Sequence, residues 1–193
     1  IESSSVYGHV VHTLSPLSSE LRSFELDAED MTIRRVRTSG KDIGFVHSGD
    51  KLHITMDRNI SWDDTVQVRV DYTALPRIGT YFIKPDDVYP DKPWQAWTQG
   101  EEDDNHHWVP LYDYPNDRAT FETILTVDQR FKAISNGELI SVKKNGDGTH
   151  TWHWHEHFPM VSYLISFVVG DYVKVEDSYD GIPVNYWVYK ENQ

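Results

Sequence analysis

Apolar and polar residues alternate with a period of two along most of this chain, the repeat that places successive side chains on opposite faces of a β-strand. Val66, Val68, Val70 and Tyr72 fall on one face, and Gln67, Arg69 and Asp71 on the other. Leu52, Ile54 and Met56 alternate with Lys51, His53 and Thr55 in the same way. The pattern predicts further strands at Val6–Leu14, Met31–Thr38, Thr80–Lys84, Phe121–Val127, Thr149–His157, Val161–Val169, Tyr172–Glu176 and Ile182–Tyr189. Turn formers punctuate these runs: Ser39-Gly40, Ser48-Gly49-Asp50, Asn136-Gly137 and Asp180-Gly181, with Asn145–Gly148 reading as a hairpin turn. No stretch offers a capped amphipathic helix of about ten residues or more. The nearest candidate, Pro115–Ala119, is at most one turn. Many short strands at regular spacing predict an all-β fold, a sandwich or open barrel. At 193 residues the chain is one domain, or at most a tight pair.

Charge narrows the partners. The chain carries 31 acidic against 18 basic residues, a net charge of −13. That balance opposes nucleic acid and anionic membranes and suits cationic ligands, although it also serves plain solubility. Cysteine is absent, which excludes disulfides, thiolate metal sites and cysteine nucleophiles. No run approaches the ~20 apolar residues of a membrane-spanning helix. The start, IESSSVYGHVV, has neither a basic nor an apolar leader region. The first residue is Ile, and VYKENQ directly follows a predicted strand, so a fragment of a longer protein is expected.

The densest chemistry lies between Trp94 and Val127, where acids, histidines, tryptophans and prolines crowd together. Glu101, Glu102, Asp103 and Asp104 repel one another unless they are solvated or share a cation. In an extended segment Gln99 and Glu101 project to one side, and Gly100 between them admits a close neighbour. A carboxamide oxygen beside a carboxylate suits an ammonium group, while a solvated acidic loop is the plainer reading. A second candidate is the strand Trp152–His157. Alternation there puts His153, His155 and His157 on one face, where they could ligate zinc or simply form the polar side opposite Trp152 and Trp154. His155-Glu156-His157 is not the helical His-Glu-x-x-His motif, which occurs nowhere in the chain. Gly-x-Ser-x-Gly elbows and phosphate-binding glycine loops are also missing.

Several motifs in order resemble one family. Trp97-Thr98-Gln99-Gly100-Glu101, His107-Trp108-Val109-Pro110 and Asp113-Tyr114-Pro115-Asn116-Asp117-Arg118-Ala119-Thr120-Phe121 are similar to the N-terminal domain of the zinc aminopeptidase N and leukotriene hydrolase family of metallopeptidases, the gluzincins. Ala133–Gly137 and Pro159–Tyr172 continue the match, which runs from about Gly79 to Tyr189 and is looser before that. The family also includes a catalytically dead transcription-factor subunit.

The resemblance implies an all-β, saddle-like β-sandwich of two packed, mostly antiparallel sheets. It implies a single N-terminal β domain over residues 1–193, without the zinc-binding catalytic domain that follows in the family. Gln99 and Glu101 match the pair that holds the α-amino group of a peptide substrate with a free N-terminus. Glu101, where leukotriene hydrolase has Gln, favours an aminopeptidase. The resemblance places no catalytic residue and no metal ligand in this chain; zinc would belong to the downstream catalytic domain of the same parent. The expected parent is a zinc metalloaminopeptidase, the isolated chain being inactive. The alternative is a non-catalytic member that uses the domain as a protein-interaction scaffold. Asp113 is expected to satisfy backbone donors, Pro115 to shape its turn, and Met160 and Tyr163 to lie in the core.

Overall fold

The computed structural model describes residues 1–193. Sixteen strands follow in chain order: β1 (Val6–Leu14), β2 (Leu21–Asp27), β3 (Met31–Thr38), β4 (Lys41–Asp42), β5 (Gly44–Ser48), β6 (Lys51–Ile60), β7 (Val66–Ala74), β8 (Thr80–Ile83), β9 (Gln95–Thr98), β10 (Ala119–Asp128), β11 (Lys132–Ser135), β12 (Glu138–Lys144), β13 (Thr149–Met160), β14 (Phe167–Gly170), β15 (Tyr172–Tyr179) and β16 (Ile182–Tyr189). Every pairing is antiparallel. The all-β expectation is met, and helix is limited to three 3-10 turns.

The strands form five sheets, four of which pack as two pairs. In the first pair the sheet β1-β7-β3-β4 faces the sheet β2-β6-β5 across a core of Ile33, Val36, Leu52, Ile54, Met56, Val68, Val70 and Tyr72, among others. These are the residues that the period-two pattern marks on β6 and β7, and each inward position alternates with a more exposed one. In the second pair β11-β14-β9-β8 faces β10-β13-β12. Its core is aromatic, built on Trp108, Phe131, Trp152, Trp154 and Phe167. Val6 and Val109 pack against both cores and join them. The β15–β16 hairpin stands beside the second pair, where Tyr172 and Tyr189 hydroxyls both donate to Gln95 Oε1, at 3.2 and 2.5 Å.

Two local expectations need correction. Val161–Val169 is not one strand: Ser162–Leu164 makes a 3-10 turn, and β14 begins only at Phe167. Side chains occupy the backbone of this segment in place of a ladder. Asn105 Nδ2 donates to the Ser162 and Ile165 carbonyls, Asn136 Nδ2 donates to that of Leu164, and Asn136 Oδ1 accepts from Ser166 N. Met160 and Tyr163 are accordingly only half-buried. Strand β12, exposed at every position and not marked as a strand in the sequence, pairs with β13 across the hairpin turn expected at Asn145–Gly148.

Across the outer face of β3 and β7, Arg37 Nη2 and Arg69 Nε donate to Asp71 at 2.6 and 2.9 Å. Burial alone would raise the Asp71 pKa, but these hydrogen bonds and charges outweigh it and hold the carboxyl below its ordinary 3.8.

Two outcomes follow from this packing. Leu52→Ala, at a position with no exposure, should destabilise the chain by about 2–5 kcal/mol in urea unfolding, whereas Ile124→Thr, 61% exposed, should stay within about 0.5 kcal/mol. Because the folded pKa of Asp71 is depressed, its contribution is complete above the ordinary value of 3.8 and is lost as pH falls through the folded value. The melting-temperature gap between wild type and Asp71→Asn should therefore be widest near neutrality and close below about pH 4.

Candidate functional site

The segment singled out by its chemistry leaves β9 at Thr98 and turns immediately. Gln99 continues the edge only through its backbone, donating from N to the Gly79 carbonyl at 3.0 Å. Gly100 is buried, while Gln99 and Glu101 on either side of it are exposed. From Glu101 to Asp104 the chain forms a turn that Asp104 N closes on the Gly100 carbonyl at 2.9 Å. The Glu101–Glu102 peptide is cis. The extended geometry assumed from the sequence thus stops before Glu101.

Two glycines make the turn possible. A Cβ on Gly100 would lie 2.5 Å from the Tyr163 carbonyl oxygen and 2.6 Å from both amide atoms of Asn105. Gly79 has φ +75° and a Cβ there would overlap the Asp104 carbonyl oxygen. The close neighbour that Gly100 admits is therefore protein: the Tyr163 backbone and the Asn105 side chain.

Asn105 has no exposed surface. Its Nδ2 donates to the Ser162 carbonyl at 2.7 Å and the Ile165 carbonyl at 3.0 Å, and its Oδ1 accepts from Trp108 Nε1 at 2.8 Å. One amide thus ties the acidic turn to the irregular segment before β14 and to an aromatic side chain of the second core. Sequence reasoning passed over Asn105, which follows four acids and reads as one more polar loop residue.

The following residues anchor the turn to the first sheet pair. Asp27 and Leu111 exchange backbone hydrogen bonds at 2.7 and 3.1 Å. Asp113 N donates to Asp27 Oδ2 at 3.0 Å, and Lys51 pairs with Asp27 Oδ1. Buried Asp113 accepts from His106 N at 3.0 Å, the backbone-capping role expected of it. His106 Nδ1 donates to the same oxygen at 3.1 Å, and His107 Nδ1 to Asp30 Oδ2 at 2.9 Å. Burial would lower the His106 pKa, but the hydrogen bond and charge of Asp113 prevail and raise it. Pro115 sits in an exposed turn and Pro115–Ala119 forms no helix.

The second candidate does not assemble. His153 pairs with Glu122 on β10, His157 Nε2 lies 3.6 Å from Glu138 Oε2 on β12, and the His155 and His157 rings sit 3.9 Å apart. Each imidazole is engaged locally and the three do not converge. The group with metal-ligand spacing is instead Glu29, His106 and His107.

Comparison with known proteins bears on this geometry. The Peptidase M1 N-terminal domain family matches residues 1–164. The chain is 26% identical over 164 residues to a probable aminopeptidase 1 of Saccharolobus solfataricus, covering 84% of this chain and 20% of that protein. It is also 26% identical to leukotriene A-4 hydrolase of Xenopus laevis, covering 82% of this chain and 27% of that protein. The chain thus spans about a fifth to a quarter of the length of these relatives. In structure it superposes on an M1 zinc metallopeptidase of Deinococcus radiodurans, a variant solved with a Tyr-Ser-Ala substrate, with a TM-score of 0.79 at 19% identity over 94% of this chain and 42% of that one.

Removing the Asn105 amide would leave the Ile165 carbonyl and an indole N–H without partners, and the Ser162 carbonyl with only the Ile165 N–H, beside a cavity. Asn105→Ala should therefore cost about 2–5 kcal/mol in urea unfolding, since each stranded group costs roughly 1–3 kcal/mol and the site relaxes in part. A loss under about 1 kcal/mol would contradict the role given to Asn105.

Proposed function

This chain belongs to the peptidase M1 N-terminal domain family, and on that premise we propose that it is the substrate-recognition domain of a zinc metalloaminopeptidase that removes N-terminal residues from peptides. Residues 1–193 would form one N-terminal β domain, with the catalytic domain of the same parent downstream. Glu101 supplies a carboxylate and Gln99 a carboxamide oxygen to the α-ammonium group of the peptide. Each charge-assisted hydrogen bond of this kind is worth roughly 1.5–3 kcal/mol. A blocked or internal amide has no such cation to offer, so the pair selects for a free N-terminus.

The observation that supports this reading best is the solvent-facing position of Gln99 and Glu101 on either side of a buried Gly100. Gly100 packs closely against the Tyr163 backbone and the Asn105 side chain, so both acceptors start from a well-packed backbone. The ion pairs of the region lie elsewhere, at Asp27–Lys51 and Asp30–Arg77, which leaves the Glu101 carboxylate available to a ligand cation. In the parent, bound zinc would polarise the scissile carbonyl and activate water. The residues of this chain contribute position: they fix the peptide by its amine so that the first peptide bond is the one presented.

In the full-length parent, Glu101→Ala should raise KM for substrates with a free amine by about tenfold or more, the equivalent of one charge-assisted bond. An unchanged KM would overturn the assignment. The 193-residue chain alone should show no metal-dependent peptidase activity. A parent lacking an intact downstream His-Glu-x-x-His would instead be a non-catalytic member that uses the domain as an interaction scaffold.

A further inference from the structure

We propose that Glu29, His106 and His107 form a binding site for a divalent transition metal of the zinc type, built entirely from residues of this chain. The three come from separate parts of the fold: Glu29 follows β2, and the two histidines close the 3-10 turn after the acidic loop. Nε2 of His106 and Nε2 of His107 each lie 3.9 Å from the same atom, Glu29 Oε2, and all three ligand atoms lie within 4.8 Å of one another. Tetrahedral zinc with bonds of roughly 2.0–2.1 Å needs ligand atoms about 3.3 Å apart. Binding would draw the ligand atoms together through small movements of all three side chains, Glu29 being the most exposed of them.

The outer contacts are those of a prepared ligand set. Both imidazoles present Nε2 inward because both Nδ1 atoms are engaged by carboxylates, His106 with Asp113 at 3.1 Å and His107 with Asp30 at 2.9 Å. Such a carboxylate–histidine pair fixes the tautomer that leaves Nε2 free and makes it more basic. Arg77 holds the far oxygen, Glu29 Oε1, at 2.7 Å and also Asp30 Oδ1 at 2.6 Å, so Oε2 remains for the metal. The rings are 4.5 Å apart, close enough for one ion to reach both of them. In the connected network four carboxylates, Asp27, Glu29, Asp30 and Asp113, face two side-chain cations, Lys51 and Arg77. Two imidazoles and one carboxylate are a zinc donor set, and a fourth position would go to water. The bound ion would staple the turn after Glu101 to the end of β2.

Zinc chloride titrated calorimetrically into the chelator-stripped 193-residue chain tests this. The expected result is one saturable site per chain, lost in His106→Ala and in Glu29→Gln, and weakened on the order of 10–100-fold in Asp30→Asn. His153→Ala should bind as the wild type does. Glu29 is the most exposed ligand, so Glu29→Gln, checked for a native circular dichroism spectrum, decides the case even where a histidine variant does not fold. No stoichiometric binding by the folded wild type, or binding unchanged in folded Glu29→Gln, would overturn the proposal, as would loss of binding in His153→Ala.

Discussion

A single buried amide governs the functional edge of this molecule. The Asn105 side chain satisfies two carbonyls that no strand partner reaches and accepts the indole N–H of Trp108. Buried polar groups are stable only when such bonds are complete, and a complete set admits one arrangement of the groups around it. The Gly100 backbone lies against that amide, with room for no side chain at all. The position of Gln99 and Glu101 therefore derives from an interior hydrogen-bond set and not from the acidic turn itself.

The same segment mechanically joins the molecule. Trp108 enters the aromatic core, Val109 touches both cores, and Leu111 pairs with Asp27 at the end of β2. A substrate amine bound at the turn would thus rest on residues packed from both sides. Of the histidines beside it, His107 is buried and His106 half-buried, and each is paired with a carboxylate.

Strands with one buried face were legible from the sequence, because burial on one side imposes the alternation seen in β6, β7 and β13. The motif resemblance carried the fold family and pointed to Gln99 and Glu101. Strand β12 escaped because all of its residues are exposed and its pairing is with the backbone of β13. The break at Ser162–Leu164 escaped because its apolar run reads as a buried strand, and only the distant amides of Asn105 and Asn136 show why it bends. The Glu29–His106–His107 group was hidden for a related reason: adjacent histidines signal nothing until the fold brings a carboxylate from the loop after β2 to both of them. Conversely, the His153–His157 strand had suggestive spacing, yet its side chains are drawn to partners on the neighbouring strands.

The central claim is that the turn carrying Gln99 and Glu101 is rigid before any substrate arrives. Amide hydrogen exchange in the free wild-type chain measures this directly. The amides of Gln99, Asp104, Trp108 and Val109 all donate within the turn or to its neighbours. They should exchange with protection comparable to the core strands β6 and β7, because opening them requires breaking the Asn105 set. Exchange of these four amides at the rate of an unstructured peptide, with β6 and β7 still protected, would contradict the account.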